Sequence, residues 1–211
     1  MVEPTRMHHI SAQGQIAWGV YPYDGGVYTG TWSVTLCRPE GYGTLTYKQA
    51  DSRHSYSGGW QAGKPHGYGT LIYKQADARQ SYSGGWQTGK RHGHGTLTYK
   101  SQARYDGCWV NDEQQGDAVM TYALTTTGLV QFVGKYHMGE KKKGVLSCMT
   151  YSGVVVASYS GRFRNGVFHD IAARVQIGNR PVEQREYING RWYNMPPGVN
   201  DELEVLSVRY K

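Results

Sequence analysis

The chain repeats itself. Residues 56–73 read YSGGWQAGKPHGYGTLIY, and residues 82–99 read YSGGWQTGKRHGHGTLTY. Self-similarity at a period of a few tens of residues is the mark of stacked supersecondary units, none of which buries its apolar side alone. Arrays of this kind offer long surfaces for partners, so binding rather than chemistry is the class of function to look for.

The core signature is aromatic, any residue, Gly, any residue, aromatic. It occurs as Tyr28-Gly30-Trp32, Tyr56-Gly58-Trp60, Tyr82-Gly84-Trp86 and Tyr105-Gly107-Trp109. Looser copies stand at Phe132-Gly134-Tyr136, Tyr159-Gly161-Phe163 and Ile188-Gly190-Trp192. Five of the six tryptophans fill this slot, so the slot demands an indole rather than tolerating one. The sixth, Trp18, lies in GQIAWGVY (14–21), which reads as half of another copy. Each signature has a second arm: GYGTLTY (41–47), GYGTLIY (67–73), GHGTLTY (93–99) and GDAVMTY (116–122). A degenerate arm, GVLSCMTY (144–151), is one residue longer, which predicts a bulge. After Phe163 the nearest candidate arm is DIAARVQI (170–177).

Both arms read as strands. With period-two alternation, Tyr56, Gly58 and Trp60 share a face, as do Gly67, Gly69, Leu71 and Tyr73. The alternate positions are mostly small or polar, as on a sheet with one solvated side. Between the arms lie AGKPHG, TGKRHG and VNDEQQG, rich in turn formers, so each unit is predicted to be a β-hairpin. Glycine on the packed face leaves a gap in which a neighbouring ring can lie against the backbone. One hairpin is marginal in water, and stacked neighbours supply what it lacks.

These residues closely resemble the MORN repeat (membrane occupation and recognition nexus): a Tyr-x-Gly-x-Trp arm, a Gly-Lys-x-x-Gly turn, and a Gly-x-Gly arm ending in an aromatic. The resemblance covers residues 22–165 well and extends to 192. It implies an all-β fold, an elongated single-layer twisted antiparallel sheet of stacked hairpins. The expected organisation is an N-terminal segment with a partial first hairpin (1–21), an array of about seven hairpins, the last three degenerate (22–192), and a C-terminal cap (193–211). The cap is expected as a short helix, capped by Asn200 with Leu203, Leu206 and Tyr210 on one face, or as a closing strand. Connections longer than the family's usual ones, KQADSRHS (48–55), KQADARQS (74–81) and ALTTTGLVQ (123–131), are expected to protrude along one edge.

The formal net charge of +7 is unevenly placed. Lys64, Lys90 and Arg91 lie in hairpin turns beside His66 and His92. A second cluster is Lys135, Lys141, Lys142 and Lys143, followed by Arg162 and Arg164. Aligned by stacking, such turns form a basic rim able to attract anionic lipid or an acidic partner, although soluble turns look the same in sequence. Nucleic acid is not expected, because the aromatics alternate with glycine as a core does. No nucleotide loop, nucleophile elbow or paired-cysteine metal site occurs. His8 and His9 are adjacent, so on a strand they face opposite ways. No cofactor, metal or catalytic residue is therefore expected, and the chain is not read as an enzyme. Cys37, Cys108 and Cys148 fall in different copies and are expected as free thiols. No apolar run is long enough to span a bilayer, and no signal peptide is expected.

Taken with the resemblance, these features point to a non-catalytic scaffold with a protein partner, a second copy of itself or a multi-subunit complex. The implied setting is cytoplasmic, in a cytoskeletal, flagellar, organellar or membrane-associated assembly. The alternative is a peripheral membrane protein holding anionic phospholipid on its basic rim. A choline-binding module, also built of Gly/Trp/Tyr-rich hairpins, is disfavoured by the Gly-Lys-x-x-Gly turns.

Overall fold

The computed structural model describes residues 7–10, 16–125, 128–188 and 191–192. Among the described residues every regular element is a β-strand. The chain divides into two compact units, Met1–Lys100 with Val110–Asp112, and Ser101–Trp109 with Glu113–Lys211. In each, consecutive strands pair antiparallel. The expected cap at 193–211 lies outside the described residues.

The first unit contains β1 (Met7–Ile10), β2 (Ile16–Tyr23), β3 (Gly26–Ser33), β4 (Arg38–Thr46), β5 (Arg53–Gln61), β6 (Lys64–Tyr73), β7 (Arg79–Gln87) and β8 (Lys90–Tyr99). Segment 16–23, around Trp18, pairs with β1 on one side and β3 on the other. One glycine per strand then lies in a continuous cross-strand row: Gly19, Gly30, Gly43, Gly58, Gly69, Gly84, Gly95. Over this row lie the tyrosines. A methyl group at Gly43, Gly69 or Gly95 would fall 2.2–2.3 Å from the phenol oxygen of Tyr28, Tyr56 or Tyr82. Each phenol runs past the glycine two residues on and donates to the next carbonyl: Tyr28 to Thr31 O (2.8 Å), Tyr56 to Gly59 O (3.0 Å), Tyr82 to Gly85 O (3.0 Å). The tryptophans close the pattern. Trp60 Nε1 donates to Gly43 O and Trp86 Nε1 to Gly69 O, both at 3.0 Å. Tyr56 therefore sits edge-on between two indoles, Trp60 at 5.2 Å and Trp86 at 5.1 Å, while Tyr28 is edge-on to Trp60 and tilted to Trp32. Indole and phenol meet a polar partner at one end while their apolar bodies are buried.

Two-residue turns with both residues at positive φ, Ala62-Gly63 and Thr88-Gly89, join the arms. That geometry suits the right-handed twist of the flanking strands. One expectation fails here. Gly67 does not share the packed face with Gly69, Leu71 and Tyr73; it is exposed, at φ +74°. The register slips between Gly58 and Trp60, so residues 66–68 oppose Gly59 alone, and the bulge uses Gly67 for a left-handed backbone.

The second unit contains β9 (Arg104–Val110), β10 (Glu113–Thr125), β11 (Gly128–His137), β12 (Glu140–Thr150), β13 (Val155–Arg164), β14 (Val167–Phe168), β15 (Asp170–Ile177), β16 (Glu183–Ile188) and β17 (Arg191–Trp192). Within this unit a weaker small-residue row runs Ala118, Gly134, Gly144, Gly161. Phe132 takes a tyrosine position without a phenol to donate, and Phe163 takes a tryptophan position at 5.1 Å from it. DIAARVQI is the missing arm: β15 pairs with β13 and buries Ala173 and Val175.

Three expectations change in this unit. In GVLSCMTY the row glycine is Gly144, so Leu146 matches Leu71 and Cys148 replaces the closing aromatic, while Tyr151 is exposed. Bulges do occur on either side, at Lys142 and between Cys148 and Met149. Ile188-Gly190-Trp192 is not an arm. Ile188 and Trp192 lie on different strands of a hairpin, and the buried ring is Tyr187, paired with Trp192. Of the long connections, 123–131 is taken up by strand at both ends, β10 running to Thr125 and β11 starting at Gly128, because lengthened strands satisfy backbone groups that a loop would leave to water. In the first unit, 48–52 and 74–78 stay outside the strands.

Candidate partner-binding groove

Over the packed face of the first unit lies an open groove of about 630 Å³. Its floor is the ring ladder, in which Trp60 and Trp86 are buried. Tyr23 closes one end, edge-on to Trp60 at 6.3 Å and donating to Gly63 O at 2.8 Å. The walls come from two sources. The hairpin turns bring Lys64, Lys90 and Arg91, and the connections between hairpins bring Arg53 and Arg79.

The second source is built by the duplicated segment Lys-Gln-Ala-Asp-x-Arg. Arg53 lies over the closing ring of its own repeat, Tyr47, at 3.9 Å and pairs with Asp51 at 2.7 Å. Arg79 does the same with Tyr73 at 4.1 Å and Asp77 at 2.7 Å. Hydrogen bonds from Arg79 hold the Asp77 carboxyl down at about 2, and Arg53 lowers Asp51 in the same way. Burial pushes Tyr47 up to about 12. The copies then stack: the Lys74 ammonium donates to Lys48 O, and the Lys100 ammonium to Lys74 O at 2.6 Å. The sequence reading missed Asp51, Arg53, Asp77 and Arg79. The signal was present as an Asp-x-Arg repeated after the closing tyrosines Tyr47 and Tyr73.

The predicted residues are placed as follows. Tyr28, Gly30, Trp32, Tyr56, Gly58, Trp60, Tyr82, Gly84 and Trp86 come together as the core of the first unit, and Tyr105, Gly107 and Trp109 pack in the second. Lys64, Lys90 and Arg91 line the groove, but Arg91 is also held by Asp112 at 2.8 Å. The second cluster is not a free rim. Lys141 is only 5% exposed, lying 4.8 Å from the Tyr122 ring centroid and 5.6 Å from that of Phe132. It takes this place because the bulge at Lys142 turns it onto the packed face. Burial lowers its pKa to about 8. Lys135 pairs with Asp117 at 2.9 Å, and Lys142 with Glu140 at 2.8 Å. Lys143 is exposed on the opposite face, in register with Lys135 and Arg162.

Among the described residues no cluster of three or more His, Cys, Asp or Glu side chains could hold a metal ion, and the three cysteines are free. No helix among them is long and apolar enough to cross a membrane.

The model of the MORN repeat matches residues 38–51, 56–75, 82–104, 105–123 and 159–169. The chain is a MORN-repeat protein. The matched stretches follow the structure: 56–75 covers most of the β5–β6 hairpin of the first unit, and 159–169 holds the arm with Tyr159 and Phe163. β3, whose ring pattern is the same, precedes the first matched stretch. No curated protein matches the chain. MORN repeats as a class serve protein–protein or membrane–lipid interaction, and the family is generally non-catalytic.

Proposed function

We propose that this MORN-repeat protein is a non-catalytic scaffold that holds a protein partner in the groove of its first unit, as a subunit of a cytoplasmic cytoskeletal, flagellar or other large assembly. The observation that carries the reading is one concave site that combines a ring-lined floor with cations around it. Trp60 and Trp86 lie in the floor, Lys64 and Lys90 stand around it, and Arg53 and Arg79 stand there paired with Asp51 and Asp77. A partner segment suited to this site carries apolar side chains on one side and carboxylates flanking them. Aromatic and Arg positions of this kind are where interface energy concentrates. Lys64, Lys90 and Arg91 are the proposed partner contacts.

A photo-crosslinking residue at Thr88, in the groove, tests this in the native cell, with the same residue at Val133 of the second unit as control. The expected result is a discrete protein adduct from Thr88 alone, abolished by Lys64→Glu with Lys90→Glu. No adduct, or one indifferent to the charge reversal, contradicts the reading. The lipid alternative draws less support, because Arg91, Lys135 and Lys142 already face carboxylates and Lys141 is buried. Salt-sensitive sedimentation with phosphatidylserine vesicles would restore it.

A further inference from the structure

The opposite face of the first unit has an order of its own. The residue before each second-arm row glycine points away from the groove: Trp18, Tyr42, Tyr68 and His94 precede Gly19, Gly43, Gly69 and Gly95. Tyr42 is 72% exposed, Tyr68 63% and Trp18 42%, so these rings belong to no core. They recur on alternate strands, about 9–10 Å apart, which is two strand spacings. The strands between carry Gly59 opposite Tyr42 and Gly85 opposite Tyr68, so no side chain stands directly across from either ring, and the Tyr68 hydroxyl reaches Ser83 Oγ at 3.4 Å. Beside them runs a cross-strand row made of hydroxyls alone, from Thr29 to Thr96. Its members bond to one another, Thr44 to Ser57 at 2.9 Å and Thr70 with Ser83 at 3.1 Å. The next row, from Val27 to Thr98, holds only aliphatic and hydroxyl side chains. Trp18, Tyr42 and Tyr68 wall a shallow cleft of about 570 Å³ whose floor is glycine and hydroxyl.

Across these rows there is no Asp, Glu, Lys or Arg, on a chain of net charge +7. That excludes occupants needing charge partners. Single-stranded nucleic acid could stack on the rings but requires cations along its backbone. A second copy of the same face would have to bury the hydroxyl rows against each other, and unmatched buried hydroxyls are costly. A neutral polysaccharide meets every term. Its pyranose rings offer apolar C–H faces to the aromatics and hydroxyls to the Ser/Thr rows, each both donor and acceptor. In an extended β-linked chain every second sugar turns the same way, which matches rings on every second strand. We propose that the outer face of the first unit, through Trp18, Tyr42 and Tyr68, binds a neutral, extended polysaccharide.

The test is affinity electrophoresis of the full chain in native gels containing hydroxyethyl cellulose, xylan or mannan, against empty gels, with Tyr42→Ala/Tyr68→Ala as the variant. Both rings are exposed, and an unchanged thermal transition checks that the fold is kept. The expected result is retardation by at least one of the three glycans that persists at high salt. In the variant, affinity falls about tenfold or more for each ring lost. No retardation in any glycan overturns the proposal, as does equal retardation of the variant or its disappearance at high salt. Light scattering covers the remaining occupant: self-association that the variant abolishes, without glycan retardation, assigns the face to a second copy and overturns the proposal too. The groove is untouched by this substitution, so partner crosslinking at Thr88 fails or succeeds independently.

Discussion

The two units run the same ring-and-glycine scheme at different fidelity. In the first, every strand from β2 to β8 gives a glycine to the row, and Tyr28, Tyr56 and Tyr82 all tie their phenols to backbone. In the second, Ala118 stands in the row, Phe132 has no phenol, and Phe163 fills an indole position without an N–H to donate. The same position on the outer face carries Trp18, Tyr42, Tyr68 and His94 in the first unit but Asp117 and Lys143 in the second. What survives in both is ring contact across copies: Tyr105 with Tyr136 at 5.3 Å, Tyr159 edge-on to Tyr187 at 5.4 Å. The difference teaches which parts of the repeat are obligatory. Stacked rings over a small-residue row make the fold, while hydrogen bonds from Tyr and Trp refine it. The outer and turn positions are the ones that vary between the units.

The largest expected break is Trp86→Ala, which removes the ring joining Tyr56 to Tyr82 and should cost about 3–5 kcal/mol in denaturant unfolding. Trp86→Phe, which makes the first unit resemble the second at Phe163, should cost about 1 kcal/mol beyond its lost area, the worth of the bond to Gly69 O. Next comes the glycine row. A methyl at Gly58 would lie 2.5 Å from the Gly69 backbone, with nothing able to yield, whereas at Gly69 the nearest atom is the Tyr56 phenol oxygen. Gly58→Ala should therefore cost about 1–3 kcal/mol and Gly69→Ala less, since Ala118 shows that a second-arm position accommodates a methyl. Equal losses would mean the row is not tight.

Lys141 sharpens the comparison by pH. Its folded pKa, about 8, lies below the unfolded value, so the native state binds fewer protons between them. Stability should rise as pH climbs from 8 towards 10, and Lys141→Met should remove that rise and stabilise the chain at neutral pH. A flat profile in both proteins would mean the ammonium is solvated. The smallest effect is at Asp77, whose folded pKa is depressed to about 2. Its contribution is present above the unfolded carboxylate value and lost as pH falls through about 2. Asp77→Asn should cost about 1 kcal/mol or less at neutral pH, read by thermal melting, because the pair with Arg79 is partly solvated.

Much of this was legible in the sequence. The hairpins, the ring positions and the glycine beside them follow from period-two alternation in YSGGWQAGKPHGYGTLIY. Alternation did not show that Gly67 belongs to a bulge, because a positive φ leaves no trace in a hydrophobic pattern. Nor did it show Lys141 buried: a lysine in a run of three looks like a solvated turn until the bulge at Lys142 fixes which one faces inward. The Asp-x-Arg brackets were visible as duplicated text, yet their purpose depends on Tyr47 and Tyr73 closing the neighbouring strand. Ile188-Gly190-Trp192 matched by letters, while the hairpin pairing of Tyr187 with Trp192 overrode it.

Fluorotryptophan NMR on the whole chain, with each resonance assigned by a single Trp→Phe substitution, is the most direct check on the ring ladder. The solvent isotope shift reports which indoles water reaches. Trp60, Trp86 and Trp109, at 4%, 8% and 2% exposure, should show almost none, and Trp18, at 42%, a large one. Comparable shifts at all four would place the indoles in water and contradict a fold held by copy-to-copy ring packing.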